Sequence, residues 1–423
     1  MLSLSKKILN KKFFKNFFSL TIFQIIEVLI PLITIPIIIA KVGISNFGLI
    51  NIAFVFCVFF QTIINYGFNT LGVRDIAVIK TNKKAVSQIF NSIFQTKIYL
   101  GLVSFILLYL CIELIPYFKP NKILYIVTFI YLFVQSLIPT WYFQGIEKSE
   151  FLAISNFIGK VVYLLLIIFM IKLPDDYILI PLYNLISFTI TLSVLVYIAY
   201  KKFDIRPIKI SINDIKNQLL SGKYMFLSEV KLYFLSYFNI FIMGLLVGDA
   251  GVGYFVGAEK ILRGISAFFN PILNSLFPII SSKLKDDFNS GKELLYKIAK
   301  YALLILVIFC ALLLFCSNII VLGYLGSEMR PSVEVFKILA FIPLLSFFDV
   351  FWGKIVLVSL KKEKILYRII LFVTVLNILI FYLLTKQFGY IGSSIAILIS
   401  QTTLTTLAFY YSKKIINDTI KTL

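Results

Sequence analysis

The sequence contains no histidine, and this absence removes several kinds of chemistry at once. Histidine is the usual acid/base group near neutral pH and the commonest metal ligand. The cysteines do not replace it, because all four lie in long apolar runs without the spacing of a metal site or a disulfide framework. No Walker sequence is present that would make the chain an ATPase. We therefore predict no catalytic centre, no metal site and no cofactor, and expect packing roles for Cys57, Cys111, Cys310 and Cys316.

Charged residues are also scarce, at 14% of the 423 residues, while 60% are hydrophobic and the mean hydropathy is +0.95. Average soluble domains contain roughly 25% charged residues and about 45–50% apolar ones, so this composition excludes a soluble globular protein. Intrinsic disorder is excluded as well, because disordered chains are poor in aromatic residues and this chain has 43 Phe and 24 Tyr. The remaining class is an all-α polytopic membrane protein.

Apolar runs long enough to cross a bilayer recur along the whole chain. A spanning helix needs about 20 apolar residues. We predict twelve such helices, at residues 17–40, 48–68, 89–115, 122–143, 151–172, 178–200, 224–247, 252–280, 298–321, 333–359, 365–385 and 390–411. Pro271 and Pro278 lie inside the eighth span and predict a bend there.

The net charge of +21 is distributed unevenly between the loops. With twelve spans, one side of the membrane receives 28 of the 41 basic residues, the other side receives 7, and the rest lie within spans. The positive-inside rule places the basic side in the cytoplasm. We therefore expect both termini in the cytoplasm. Nucleic-acid binding is not needed to explain the charge.

The chain contains an internal repeat, because residues 42–53 align with residues 247–258 at a constant shift of 205. The identical positions are Val42, Gly43, Gly48 and Ala53 in the first copy and Val247, Gly248, Gly253 and Ala258 in the second. Six spans separate the copies, so the halves run parallel, related by an axis along the membrane normal. The predicted parts are an N-terminal six-helix lobe (1–200), a cytoplasmic linker (201–223) and a C-terminal six-helix lobe (224–423).

Charged residues inside the spans are the most informative ones for function. Each is costly in hydrocarbon, by about 2.5–3.5 kcal/mol at the centre, so it usually faces a partner or a hydrated cavity. Ten qualify: Glu27, Lys97, Lys160, Glu229, Lys231, Glu259, Lys260, Arg263, Asp349 and Lys354.

Depth within the span ranks these residues. We predict that Arg263 and Lys97 line a hydrated path, with Lys260 and Lys231 in second place. Two alternatives remain open: Arg263 pairs with Glu259 at i,i+4 on one helix, or the residues near the span ends snorkel to the interface. Trp141, with the neighbouring Tyr142, is expected to anchor a cytoplasmic interface.

Several segments together resemble a known family, the Wzx-type O-antigen flippases of the polysaccharide-export branch of the MATE-like superfamily. They lie at residues 23–53, 65–77, 138–148, 252–261, 270–281 and 388–401, and the most specific pieces read WYFQGIEK and GYFVGAEK. The resemblance implies a MATE-like fold of two six-helix lobes around a central cavity. It also implies a flippase that moves undecaprenyl-pyrophosphate-linked oligosaccharide across the inner membrane by alternating access, driven by an ion gradient.

This reading assigns roles to the deep charges. The cations would serve the pyrophosphate and the sugars, while the lipid tail stays in hydrocarbon and meets membrane lipid. Because burial favours the neutral form of a carboxylate, Glu27, with Glu259 in second place, is the candidate for the coupling proton. The expected partners are envelope glycan polymerases or glycosyltransferases, and the transporter is expected to be a monomer.

Three other functions fit the sequence less well. A multidrug/cation antiporter on the same fold would need an acidic cavity, and the deep cations argue against one. Lipid II flippases are similar in substrate but have fourteen spans. A polytopic glycan polymerase or glycosyltransferase usually has a sizeable extracytoplasmic loop with catalytic residues, whereas the outer loops here are short. The sequence leaves the glycan and the coupling ion open.

Overall fold

The computed structural model describes the backbone of residues 2–422 and the side chains of residues 21–231, 233–234 and 237–419. Lys421 and the five lysines between positions 6 and 15 count toward the basic side of the membrane. Their side chains are not among those described. The α-helices are α1 (Leu2–Asn65), α2 (Phe68–Ile79), α3 (Lys83–Leu114), α4 (Lys122–Leu137), α5 (Thr140–Gly145), α6 (Ser149–Met170), α7 (Leu179–Lys201), α8 (Ile212–Ser236), α9 (Phe238–Val247), α10 (Asp249–Ala267), α11 (Asn270–Asp286), α12 (Phe288–Phe315), α13 (Ser317–Leu325), α14 (Pro331–Leu339), α15 (Ile342–Asp349) and α16 (Glu363–Thr422). Short 3-10 helices lie at Pro116–Asn121, Pro174–Ile178 and Ser327–Met329, and a π-helix at Val350–Leu357.

The predicted fold class is confirmed: the chain is an all-α, multi-pass membrane protein. Within residues 21–419, nine helical stretches are long and apolar enough to cross a membrane. Two of them, in α1 and α16, are bent at Gly43 and Gly389 and supply two spans each. The seventh predicted span is divided between α8 and α9, which brings the number of spans to about twelve.

Helix ends are fixed by side chains that the sequence supplies locally. The Asn82 side chain accepts a hydrogen bond from the Ala85 N–H (3.1 Å) and caps α3. Ser211 and Asp214 form a capping box at the start of α8. The backbone N–H and the hydroxyl of Ser211 both donate to the Asp214 carboxylate, and these hydrogen bonds hold the pKa of Asp214 below its usual value.

The eighth span contains the predicted bend. Its helix is interrupted at Phe268 and Phe269, between α10 and α11. Pro271 then lies in the first turn of α11, where its missing N–H costs no helical hydrogen bond. The bend is therefore a helix break just before the first of the two prolines.

The chain divides into two compact units. Unit 1 comprises Met1–Asn46 and Ile50–Phe238, and unit 2 comprises Phe47–Leu49 and Asn239–Leu423. The sequence-based boundaries of the lobes remain a prediction. Residues 203–211 of the predicted linker hold to α3 in unit 1 through three hydrogen bonds, from Asn91 to the Arg206 carbonyl (2.8 Å), from Gln95 to the Ile208 carbonyl (2.8 Å), and from the Arg206 N–H to Ser87 (3.2 Å).

Two glycines of the internal repeat share an unusual backbone conformation. Gly43 has φ 81° and ψ 167°, and its counterpart Gly248 has φ 79° and ψ 178°. Only glycine adopts such angles readily, so both copies use it to break a helix at the same position. Gly48 is required for a different reason, because a Cβ atom there would lie 1.8 Å from the Asp249 carbonyl oxygen.

Candidate functional site

Unit 1 contains a cavity of about 310 Å³ whose wall is rich in uncharged polar groups. This volume is at the small end of the roughly 300–1,000 Å³ typical of ligand pockets. Glu27 is its charged lining residue. Five side-chain amides line it: Gln61, Asn65, Asn69, Gln135 and Asn156. Hydroxyl groups come from Ser136, Thr140 and Thr191. The apolar part of the wall consists of Phe23, Ile138, Leu152, Phe188 and Leu195. We call it the amide-lined cavity.

Helix ends bring most of these amides together. Asn65 is the last residue of α1, and Asn69 lies in the first turn of α2. The turn between them contains Gly67 with φ 77°, and its N–H donates to the Glu229 carboxylate of α8 at 3.2 Å. A Cβ atom on Gly67 would lie 2.3 Å from the Met225 Cβ, so the turn and α8 pack closely enough to require glycine. The amide positions therefore depend on this turn.

Glu27 holds a cross-helix polar cluster at the wall of the cavity. Its Oε1 accepts a hydrogen bond from the Asn156 amide at 2.9 Å, and its Oε2 lies 3.6 Å from the Lys160 Nζ. The Glu27 side chain is 33% exposed, whereas that of Lys160 is 7% exposed. The Lys160 Nζ also lies 4.7 Å from the centroid of the Phe188 ring. Glu27 is thus a carboxylate that lines the cavity and is held by groups of α6.

Lys97 lies behind the cavity wall, where its side chain is completely buried. Its ammonium donates to the Asn65 Oδ1 (3.1 Å), the Asn69 Oδ1 (3.0 Å) and the Ser136 carbonyl oxygen (2.7 Å). All three acceptors belong to residues that line the cavity. Lys97 therefore touches the cavity through the amides that it holds, and it does not itself form the wall.

Trp141 completes the surroundings of Lys97. The Lys97 Nζ lies 4.3 Å from the centroid of the Trp141 ring, within the range of a cation–π interaction. The predicted interfacial anchoring of Trp141 and Tyr142 is wrong, because their exposed fractions are 0% and 2%. The prediction failed because the aromatic residues fall on the short helix α5, which packs inside unit 1.

The predicted charges on α10 belong to unit 2. Glu259 is buried, and its Oε1 lies 2.7 Å from both the Nε and the Nη2 of Arg263. The side chain of Arg263 remains 54% exposed. The pair is the i,i+4 alternative expected from the sequence. The Nζ of Lys260, the residue between them, lies 5.5 Å from the centroid of the Phe47 ring.

The structure thus brings some predicted residues together and leaves others apart. Glu27 lines the amide-lined cavity and Lys97 supports its wall from behind, whereas Lys231 is exposed on α8 and is not part of the wall. Sequence reasoning missed the amides. Their signal was present, because Gln61, Asn65 and Asn69 recur at intervals of four within strongly apolar sequence.

Within residues 21–419, no three potential metal-ligating side chains group together.

The fold is that of the MATE-like exporters. A solved structure described as an inward-facing multidrug resistance MATE family transporter of the MOP superfamily superposes with a TM-score of 0.71 at 15% identity, covering 93% of this chain and 96% of that chain. The lipid II flippase MurJ in an inward closed conformation superposes with the same TM-score, 0.71, at 15% identity, covering 92% and 87%.

Sequence relatives indicate which group of MATE-like proteins this chain resembles. A protein of Escherichia coli (strain K12) named "Putative O-antigen transporter" is 26% identical over 353 residues, covering 82% of this chain and 84% of that protein. A Shigella dysenteriae protein of the same name is 28% identical over 346 residues, covering 80% and 84%. The pattern of the family described as "Polysaccharide biosynthesis protein" matches residues 13–284, and the chain belongs to this family. The predicted resemblance to the polysaccharide-export branch is thereby confirmed.

Proposed function

We propose that this protein is a flippase that moves lipid-linked oligosaccharide across the bacterial cytoplasmic membrane by alternating access. The observation that carries the proposal is the amide-lined cavity within a membrane-spanning unit. Amide side chains in a membrane span either pair across helices or face water or a polar ligand, and here five of them surround an open volume. The O-antigen transporters among the sequence relatives support the oligosaccharide substrate, and the superposed lipid II flippase supports the lipid carrier.

The cations proposed to serve the substrate are Arg263 and Lys97, with Lys260 and Lys231 in second place. Arg263 combines partial exposure with an ion pair that holds its guanidinium in place, which suits a group that meets an anionic pyrophosphate. Lys97 would act through Asn65 and Asn69, because it is buried behind them.

Ion coupling is proposed at Glu27, which contacts both Lys160 and Asn156 and also lines the cavity. Protonation of this carboxylate would remove its attraction to Lys160 and release a link between α1 and α6. Glu259 is the second candidate, since its partner Arg263 lies on the same helix and its protonation would loosen a contact within α10.

The setting of the protein is part of the proposal. We place both termini in the cytoplasm, with undecaprenyl pyrophosphate as the lipid carrier, O-antigen or capsule repeat units as the glycan, and the monomer as the working unit. Glycan polymerases or glycosyltransferases of the envelope are the proposed protein partners. A transporter is favoured over an enzyme because the named sequence relatives and the named structural neighbours are all transporters or flippases.

Multidrug antiport is the second candidate function, because the fold also matches a multidrug transporter. It is less well supported, because the carboxylate at the amide-lined cavity is already paired with Lys160 and the cavity therefore offers no surplus negative charge to a cationic drug.

A reconstituted assay separates these functions. Purified protein is placed in liposomes that contain the undecaprenyl-pyrophosphate-linked repeat unit extracted from cells that carry the protein, and the glycan that becomes accessible outside is oxidised by added periodate. We expect faster exposure than in protein-free liposomes, and no proton-driven uptake of a cationic dye such as ethidium. Dye uptake without glycan exposure would favour the antiporter and contradict the flippase.

A further inference from the structure

The amides beside Lys97 have a fixed orientation that follows from chemistry alone. A lysine ammonium has three hydrogen-bond donors and no acceptor. The atoms of Asn65 and Asn69 that face Lys97, at 3.1 and 3.0 Å, must therefore be their carbonyl oxygens. The Nδ2 groups of both residues are then left as donors. Among the contacts of residues 21–419, neither nitrogen donates to a protein acceptor.

Gln135 repeats this arrangement on α4. Its Oε1 accepts a hydrogen bond from the Gln61 amide at 2.9 Å, and Gln61 also donates to the Leu132 carbonyl at 3.3 Å. The amide nitrogen of Gln135 is consequently the free end of this pair within the described part of the chain. Three residues of the cavity wall, from α1, α2 and α4, thus present N–H donors whose orientation is set by protein partners behind them.

The charge of the cavity selects the part of the substrate that it suits. The charge of its carboxylate, Glu27, is balanced by Lys160. The Lys97 ammonium donates its three hydrogen bonds to the two asparagine oxygens and the Ser136 carbonyl. A pyrophosphate in the cavity would find no lysine or arginine in the wall to contact. Sugar hydroxyl and acetamido oxygens, in contrast, are neutral acceptors that match amide donors, and the rings of Phe23 and Phe188 offer apolar surface to the C–H faces of a sugar.

We propose that the amide-lined cavity is a sugar-binding subsite in which Lys97 is a positioning residue that orients Asn65 and Asn69 to donate hydrogen bonds to glycan oxygens. This inference rests on the proposed flippase function and deepens it, because it assigns the glycan, and not the pyrophosphate, to unit 1.

The chain contains a reporter for this subsite. It has two tryptophans, of which Trp141 lies against Lys97 and Trp352 belongs to unit 2. In a Trp352→Phe background, the fluorescence of purified full-length protein reports on Trp141. The probe is the free oligosaccharide released by mild acid from the lipid-linked repeat unit, compared with undecaprenyl phosphate that carries no sugar. We expect a saturable fluorescence change with the oligosaccharide only.

Three variants test the donors. Asn69→Asp keeps an oxygen for Lys97 but removes the donor and adds a charge, whereas Gln135→Met removes the donor without adding charge. Each is expected to weaken oligosaccharide binding at least about tenfold, as loss of a hydrogen bond in a shielded site does. Asn184→Leu, which changes an amide of α7 that does not line the cavity, is the matched control and should bind within about twofold of the parent.

Lys97→Met tests the positioning role. In the liposome assay we expect the apparent KM for the lipid-linked repeat unit to rise at least about tenfold while kcat per folded protein changes less than about threefold, because the misoriented amides weaken substrate binding. A merely structural role for Lys97 would lower the amount of folded protein and leave KM unchanged, which would overturn the assignment.

The remaining outcomes are distinct. If the parent exposes lipid-linked glycan but binds the free oligosaccharide equally well in every variant, the subsite is wrong and the flippase stands. If Asn69→Asp weakens binding and Gln135→Met does not, added charge is the cause and the donor assignment fails. An equal response to undecaprenyl phosphate would exclude a sugar-specific site. If the folded parent does not expose lipid-linked glycan at all, the proposed function itself fails.

Discussion

The charges beside the amide-lined cavity of unit 1 and the Glu259–Arg263 pair of unit 2 are held in different ways. In unit 1 the charges are held between helices: Lys97 of α3 reaches α1, α2 and α4, and Glu27 of α1 reaches Lys160 of α6. In unit 2 the pair of Glu259 and Arg263 lies on one helix, four residues apart. A charge held between helices fixes their relative positions and shapes a cavity. The contact between Glu259 and Arg263 keeps a partly exposed guanidinium in place from a position on the same helix.

The largest effect is expected at the buried lysine of unit 1. Lys97→Met leaves two amide oxygens and the Ser136 carbonyl without their donor, so we expect a loss of about 2–3 kcal/mol in the free energy of unfolding. Thermal unfolding in detergent measures it. Lys260→Met in unit 2 is the control, and because Lys260 is only half-buried whereas Lys97 is fully buried, it should lose less than about 1 kcal/mol. Equal losses of unfolding free energy in Lys97→Met and Lys260→Met would contradict a special structural role for Lys97.

Charge reversal at Arg263 comes next. Arg263→Glu places two carboxylates four residues apart on α10 and removes the proposed pyrophosphate contact, so glycan export should fall at least about tenfold. Complementation of a strain that lacks its own flippase measures export. Arg263→Lys keeps the charge and should retain most of the activity. Export at the parent level in Arg263→Glu would remove Arg263 from the substrate path.

For Glu27→Gln we expect a smaller fall in the flipping rate, together with loss of its dependence on a pH gradient. The glutamine keeps an oxygen for Asn156 but can neither pair with Lys160 as an anion nor carry the coupling proton. We expect the flipping rate in liposomes to fall roughly threefold to tenfold and to lose its response to an imposed pH gradient. Glu259→Gln should keep that response. A full response in Glu27→Gln would contradict coupling at this residue.

The smallest effect is expected at the capping box of α8. The folded state holds the pKa of Asp214 below its unfolded value, so this group stabilises the protein above about pH 4, and the stabilisation is lost as the pH falls through the folded pKa. Asp214→Asn should therefore lower the Tm slightly at pH 7 and leave it unchanged near pH 2. An equal shift at both pH values would show that the charge of Asp214 has no part in the cap.

The sequence predicted contacts between residues close together in the chain, but not contacts between residues far apart in it. The pairing of Glu259 with Arg263 was foreseeable, because a spacing of four residues fixes proximity on any helix. The helix break beside Pro271 was local as well. The partners of Lys97 were not foreseeable, since they lie 28 to 39 residues away and meet only when α1, α2 and α4 pack.

The polar wall of the cavity shows the same limit. Amides cost less free energy than charges in a membrane span, so Asn65, Asn69 and Gln135 do not stand out in the sequence as the deep charges do, although they form part of the cavity wall. Trp141 was placed at an interface because its position along the chain predicts depth but not which way a short helix packs. The twelve spans, in contrast, follow from hydropathy and needed no tertiary information.

Labelling from water tests the central claim most directly. Thr140 lines the amide-lined cavity, whereas Thr128 is 1% exposed in unit 1 and does not line it. In a chain whose four cysteines are replaced by alanine, Thr140→Cys should react with a water-soluble maleimide and be protected by the released oligosaccharide, while Thr128→Cys should stay unreactive. A Thr140→Cys protein that never reacts, or that reacts equally fast with the oligosaccharide present, would contradict a hydrated, glycan-binding cavity in unit 1.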